Sequence, residues 1–300
     1  MMWKPELKPQ TPEPHPFSVL QRTPRVRPSL NQYLLDLDVE LLEELDPSLR
    51  SAARSAVTTV AFGTDAGAVP LSEWLAAARS GPGLLVLDGV LAAGIHVGDR
   101  IAAELLGAGD VIQPWREEDE ELLACDVQWR ALVPSRFALL DEVFAQRAAP
   151  WPQIIYALLR RTGRRSRRIN LQRAISAQPR LEVRLALLLW HLAGRWGKVE
   201  PGGIRLPLPL THQLLGRLIG AERPSVSHAL ARLAETGLIT GHGNEWHIHG
   251  SLEQQLPSML EAGSTRVEWL GAANTPQAPG WRSDRALSRP APGSHVKLER

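Results

Sequence analysis

Residues 210–239, LTHQLLGRLIGAERPSVSHALARLAETGLI, constrain this chain more than any other stretch. Thr211 is placed to cap a helix, and Leu214, Leu215, Leu218 and Ile219 fall on one face of it. Gly220 ends that helix. Ala221-Glu222-Arg223 makes a short turn, and Pro224 restarts a helix at a first-turn position, where its missing N–H costs nothing. Val226, Ala229, Leu230 and Leu233 form the inward stripe of the second helix. Pro224, His228, Ala231 and Arg232 then face out, with Ser225 and Ser227 at the edges. Gly216 and Ala229 are small enough to let the helices cross closely. The spacing predicts a helix-turn-helix. Leu238–Thr240, Gly241–Asn244 and Glu245–His249 follow as strand, turn and strand, which makes the module a winged helix. Its outward face is short and polar enough to enter a DNA major groove. A helical hairpin that serves only as core is the plainer alternative, but turn, proline restart and wing all agree on the first.

Composition bounds the rest. Three hundred residues allow two domains with tails. One cysteine, Cys125, excludes a disulfide framework. Met1 to Pro28 is proline-rich without an apolar signal segment. The longest strongly apolar run, Leu185 to Trp190, is too short to span a bilayer, so the expected location is the cytoplasm, away from any membrane. A net charge of +2 argues at first against a nucleic-acid partner. The balance is uneven, however: residues 33–132 carry −12 and residues 133–250 carry +10, counting Lys and Arg against Asp and Glu. An acidic half repels DNA and a basic half attracts it, the pattern expected of a sensor domain joined to a DNA-binding domain.

The helix-turn-helix stretch resembles the DNA-binding domain of the Crp/Fnr family of bacterial transcription regulators. The family pattern Thr-x-x-x-hydrophobic-Gly-x-hydrophobic-hydrophobic-Gly, then x-x-Arg-x-Ser/Thr-Val, is met by Thr211, Leu215, Gly216, Leu218, Ile219, Gly220, Arg223, Ser225 and Val226. The resemblance implies that Arg223 reads a guanine and Ser225 touches a phosphate. It implies a DNA-contact set of Thr211, Gln213, Arg223, Pro224, Ser225, Ser227, His228 and Arg232. Pro224 stands where an acidic base-reader can sit, and His228 where a second arginine can; these two positions depart from the best-known member's pattern, so the resemblance carries the docking mode and not the operator sequence. The resemblance also implies a homodimer on a near-palindromic site, RNA polymerase as a further partner, a small-molecule effector of unknown identity, no cofactor and no enzymatic activity. A protein-interaction module whose winged helix no longer binds DNA is the alternative. Arg223, Ser225 and Ser227 weigh against it, because such a surface is more often apolar.

The expected fold class is α+β. Residues 1–32, rich in proline and without periodicity, read as a disordered arm. Residues 33–150 read as an antiparallel β-roll, opened by an acidic helix at Leu34–Leu45. Gly83–Val90 and Leu91–Val97 flank the turn pair Asp88-Gly89, and Cys125–Val133 is a further strand. In the family, LVLDGVLAAGIHVGDRIAAELLGAGDVI resembles the cyclic-nucleotide-binding-like roll, with Gly89 and Gly109-Asp110 at turns. Pro134–Gln146 reads as a short helix. Residues 151–176 read as one long helix with Trp151, Ile155, Leu158, Thr162, Ile169 and Ile175 near one stripe, and by resemblance it is the dimerisation helix. Its seven arginines, Arg160, Arg161, Arg164, Arg165, Arg167, Arg168 and Arg173, read as a solvated face balanced by the acidic domain, with extra phosphate contact as the functional alternative. Residues 177–262 form the DNA-binding domain, with Pro179–Trp196 as its core helix, His191 packed within it, and a short helix to Leu260. Residues 263–300 read as a disordered tail.

Little other chemistry is legible. GxxxxGKS/T, GxSxG, HExxH and CxxC are all missing. His242, His247 and His249 lie close in sequence, but strand alternation explains two of them and no cysteine accompanies them. His96 alone is weak support for a haem. In family members that bind cyclic AMP, Gly-Asp is followed by a Gly-Glu helix and an Arg-Ser/Thr pair. Here Gly109-Asp110 runs into Gln113-Pro114-Trp115-Arg116 and five carboxylates, Glu117 to Glu121, each of which repels a phosphate. Calorimetry with cyclic AMP or cyclic GMP is therefore expected to show no saturable heat at micromolar nucleotide. A well-defined isotherm would mean that this loop binds nucleotide after all.

Overall fold

The computed structural model describes residues 29–78, 80–113, 126–242 and 245–250, with backbone alone at Leu30 and His242. Alternation of side chains builds its first half. In Ser135–Leu140 (β9), Phe137 and Leu139 face one core while Ala138 and Leu140 face another, and all four are buried. The short helix expected at Pro134–Gln146 is thus replaced by a strand up to Leu140. Both faces of this segment are covered, so its apolar run lacks the one-sided pattern that marks a strand. A helix follows only at Glu142–Ala148 (α5), where the Asp141 side chain accepts from the Phe144 N–H at 2.9 Å.

Two antiparallel sheets make the roll. The first runs in the order Ser29–Tyr33 (β1), Thr58–Thr64 (β2), β9, Gly83–Asp88 (β4) and Val111–Ile112 (β7). The second runs Gly67–Val69 (β3), Asp126–Ala131 (β8), Val90–Val97 (β5) and Arg100–Gly107 (β6). Between them Phe62 meets Trp74 edge-on at 5.0 Å and stacks on Phe137 at 5.4 Å. Trp74 comes from Leu71–Ala76 (α4), a helix inside the stretch read as a β-roll. Outside the first sheet lie Leu34–Leu37 (α1), Val39–Glu43 (α2) and Pro47–Ala56 (α3). One acidic helix was expected there. Asp38, extended and capping Leu41 N–H at 3.2 Å, divides it in two. Strand β1 begins at Ser29, within the stretch read as an arm. The rest of that arm, Cys125, the acidic run Glu117–Glu121, Gly243-Asn244, the helix expected after Gly250 and the tail lie outside the described residues.

Pro152–Ser176 (α6) is one helix, as expected, but of the expected stripe only Leu158 and Ile175 are buried. Ile154, Ala157, Leu158, Arg161 and Ile175 are buried, whereas Ile155 and Ile169 are exposed. The stripe misleads because arginines continue the inward face where aliphatic residues stop. Arg161, 3% exposed, holds Asp38 through Nη2 at 2.8 Å. Arg165 makes a two-pronged contact with Glu104 at 2.8 Å, and Arg168 pairs with Asp110. Arg160 pairs with Glu44, and Arg164 lies 3.9 Å from Glu40. Burial opposes the charge of Arg161, but the hydrogen bond and charge of Asp38 outweigh it and hold the guanidinium above its ordinary pKa.

The C-terminal unit comprises Leu181–Trp196 (α7), Lys198–Glu200 (β10), Gly203–Leu206 (β11), two further helices and a final hairpin. Its core joins Leu185, Leu188, Leu189 and Leu192 of α7 to Val90, Ala92, Ala103 and Leu105 on the outer face of the β5–β6 pair. His191, half-buried at this junction, is held below the ordinary histidine pKa by burial and then by the nearby charges of Arg168 and Arg195.

Removing Asp38 leaves a buried guanidinium with only the exposed Glu40, at 3.2 Å, and α2 without its cap. Asp38→Ala is expected to lower the unfolding free energy by about 3–5 kcal/mol. Arg164→Ala, which removes an exposed and distant contact, is expected to cost under about 1 kcal/mol. Urea denaturation measures both, and equal losses would contradict the burial argument.

Candidate nucleic-acid interface

His212–Ile219 (α8) and Arg223–Glu235 (α9) are the two predicted helices. Thr211 caps the first, its hydroxyl accepting from the Leu214 N–H at 3.1 Å. Gly220 ends it in the left-handed region, φ 69°, where a side chain is disfavoured. Gly216 is required for a different reason. A Cβ there would stand 2.3 Å from the Ala221 carbonyl oxygen, so the turn packs directly on the helix backbone. Glu222 precedes α9 and Pro224 sits in its first turn. Val226, Ala229, Leu230 and Leu233 are buried, as the periodicity requires. Behind α9, Ile239–His242 (β12) and Glu245–His249 (β13) pair antiparallel, and the sheet order is β10-β11-β13-β12. On β13, the His249 ring lies 3.0 Å from the Thr240 hydroxyl.

Arg223, Pro224, Ser225 and His228 come together on the exposed face of the first turns of α9. Arg223 makes no ion pair among the described residues, and its neighbour Glu222 pairs instead with Arg100 at the tip of the β5–β6 hairpin. Thr211 and Gln213 lie at the start of α8, both exposed. The remaining two predicted residues are committed elsewhere. The Ser227 hydroxyl donates to the Arg223 carbonyl at 3.1 Å and lies 2.8 Å from His212 Nδ1. Arg232 pairs with Glu182 of α7 at 2.6 Å. His212, Arg100 and Gln172 shape this surface and were not legible in the sequence. Gln172 bonds the carbonyls of Ala103 and Leu218, both at 2.8 Å, and ties α6 to β6 and α8. Contacts across such sequence separations leave no local signal.

The description "Crp-like helix-turn-helix domain" matches residues 183–250. A Mycobacterium tuberculosis protein named a CRP-like cAMP-activated global transcriptional regulator is 38% identical over 100 residues, 33% of this chain and 45% of that protein. Residues 183–250 thus resemble the DNA-binding domain of Crp-like regulators. It spans 45% of the length of the curated relatives it matches. Among solved structures, a cyclic nucleotide-binding domain containing protein from Listeria monocytogenes EGD-e superposes with a TM-score of 0.53 at 14% identity, covering 72% of this chain and 97% of the other. That likeness concerns the fold alone, and it agrees with the α+β arrangement of roll, long helix and Crp-like helix-turn-helix domain.

Gly216 is the steric condition for this surface, because the turn backbone occupies the place of its side chain. Gly216→Ala is expected to lower the stability of the Crp-like domain by about 1–3 kcal/mol through overpacking, read as a lowered midpoint in thermal unfolding. Gly194→Ala on α7, where a Cβ meets nothing within 4 Å, serves as the control and is expected to leave the midpoint unchanged or raised. A neutral Gly216→Ala would mean that the turn relaxes freely.

Proposed function

We propose that this protein is a homodimeric, sequence-specific DNA-binding transcription regulator of the Crp/Fnr type. The observation that carries the proposal is the exposed first turn of α9, where Arg223, with no ion pair among the described residues, stands beside Pro224, Ser225 and His228 within a Crp-like domain. Arg223 reads guanine through its two-pronged guanidinium, and the positive end of the helix dipole adds to the attraction. Ser225 and the first turn of α8, Thr211 and Gln213, contact phosphate. His228 lines the groove. Ser227 acts by holding the first turn of α9 rather than by reaching DNA, and Arg232 by bracing α9 on α7. Residues 33–150 serve as sensor, 151–176 as dimerisation helix and 177–262 as DNA-binding domain, with the arm and tail outside these units.

Dimerisation is supported by the outer face of α6. Tyr156 is 66% and Leu159 62% exposed, and Gly163 beside them leaves room for close approach of a second helix. An apolar strip of this kind on a long helix packs well against its own copy. Two related α9 helices then meet half-sites one turn apart, roughly 34 Å. RNA polymerase is the partner on which such a regulator acts. No helix among the described residues is long and apolar enough to cross a membrane, which fits a protein that works on DNA in the cytoplasm. Recognition, not catalysis, is its proposed activity.

Selection from random-sequence duplexes, followed by gel shift and sedimentation, tests this reading. The expected outcome is a near-palindromic site bound by two chains. On single-base variants of that site, Arg223→Ala is expected to weaken binding by about 1–3 kcal/mol and to relax the preference at one base pair. Ser225→Ala weakens all sequences alike, and His228→Ala costs less than Arg223→Ala. A monomer on a non-repeated site would refute the dimer, and parallel losses at every variant would show that Arg223 is not the reader. Failure to retain any duplex would leave the winged helix as a protein-interaction module.

A further inference from the structure

Between the outer face of the second sheet and α8 lies a cleft of about 850 Å3, inside the range of roughly 300–1,000 Å3 common for small-molecule sites. Its floor follows from strand alternation. Val127, Trp129 and Ala131 of β8 turn toward the roll interior, so Gln128 and Arg130 turn outward. The register sets Arg130 between Ala68 of β3 and Ala92 of β5, and Gln128 beside Gly94, which faces Ala103. One long cation thus stands in a field of small residues. Gly94 has no steric reason to be glycine. A Cβ there would find its nearest neighbour at 3.5 Å, an ordinary contact. Glycine weakens a strand, and one such reason to keep it is the close approach of another molecule. The roof is α8, which contributes Leu214 and Arg217.

The electrostatics are one-sided. Arg130, Arg217 and His96 line the cleft, and among the described residues no aspartate or glutamate does. Neither Arg130 nor Arg217 makes an ion pair among the described residues, whereas Arg161, Arg165, Arg168 and Arg195 are all consumed by carboxylates. The interior of the roll is filled by Phe62, Trp74, Phe137 and Trp129. We propose that the cleft binds a small organic anion, with a phosphate or carboxylate head held between Arg130 and Arg217 and an apolar body against Leu214 and the small-residue floor. Two guanidiniums on one anionic head make strong charge-assisted hydrogen bonds. The ligand joins the roll to the first helix of the helix-turn-helix and leaves Arg223 and His228 open. Its influence on DNA, which rests on the regulator reading above, acts through the orientation of α8 and α9.

Calorimetric titration of the full chain with naphthyl phosphate, without DNA, tests the site. One molecule is expected to bind per chain, and inorganic phosphate, lacking the apolar body, about tenfold more weakly or worse. Arg130→Ala and Arg217→Ala are each expected to weaken naphthyl phosphate about tenfold or more. Gly94→Val, a residue favoured in strands, is expected to close the floor and abolish binding while thermal unfolding stays cooperative. Absence of saturable heat, or equal affinity in wild type, Arg130→Ala and Gly94→Val, overturns the proposal. Because DNA is absent from the titration, a chain that binds DNA and no anion sinks this site alone. A chain that binds the anion and no duplex sinks only the regulator reading.

Discussion

A buried carboxylate at the turn between β6 and β7 holds three parts of this protein together. Asp110 is 2% exposed. It accepts from the Gly107 N–H at 2.9 Å, from Arg195 of α7 at 2.7 Å, and from Arg168 of α6. Arg195 also donates to the Ala108 carbonyl at 2.9 Å. One side chain therefore fixes its own turn, the long helix and the first helix of the Crp-like domain. A carboxylate out of water is tolerable only when its charge and lone pairs are met, and here two guanidiniums and an amide meet them. The cost appears on the other side: Arg168, losing hydration and facing Arg195, is held below the ordinary arginine pKa despite its pairing with Asp110.

This arrangement changes the meaning of the charge asymmetry. The basic half of the chain reads as a surface drawn to DNA, yet five of the seven α6 arginines are paired with acids of the roll and its preceding helices. Much of the positive charge in residues 133–250 is therefore internal, a neutralising face for an acidic partner within the same chain. Arg167 and Arg173 on α6, with Arg217 and Arg223 beyond it, make no ion pair among the described residues and remain for other anions. Electrostatic attraction to a polyanion then depends on a few residues near α8 and α9 rather than on the arginine-rich helix as a whole.

What the sequence made legible was local. Thr211, Gly220, Pro224 and the stripe from Val226 to Leu233 act through neighbours three to five residues away, and each was found where its spacing placed it. Strand β9 failed for the opposite reason: with both faces buried, its run of apolar residues carries no period to distinguish strand from helix. The inward face of α6 failed because its later members are arginines, and periodicity counts only apolar residues. The commitment of Ser227 to His212, and of Arg232 to Glu182, depends on how α8 and α7 cross α9. No spacing within 210–239 encodes that angle.

The tethers on the helix-turn-helix differ in strength, and the difference has a direction. At α8, Gln172 bonds the Leu218 carbonyl, and Leu218 shares a core with Ala103 and Leu105. Separating these would expose apolar surface and orphan a hydrogen bond. At the start of α9, the hold is the Arg100–Glu222 pair, whose side chains are 76% and 71% exposed. An ion pair so solvated contributes little stability and weakens further with salt. Its effect is local and electrostatic instead. Glu222 stands next to Arg223, and a free carboxylate there would repel any phosphate approaching the first turn of α9. With Arg100 beside it, that charge is largely compensated, while Arg223 makes no ion pair among the described residues. The hairpin tip of the roll thus conditions the charge of the exposed face without gripping it, and the grip lies one helix earlier, at α8.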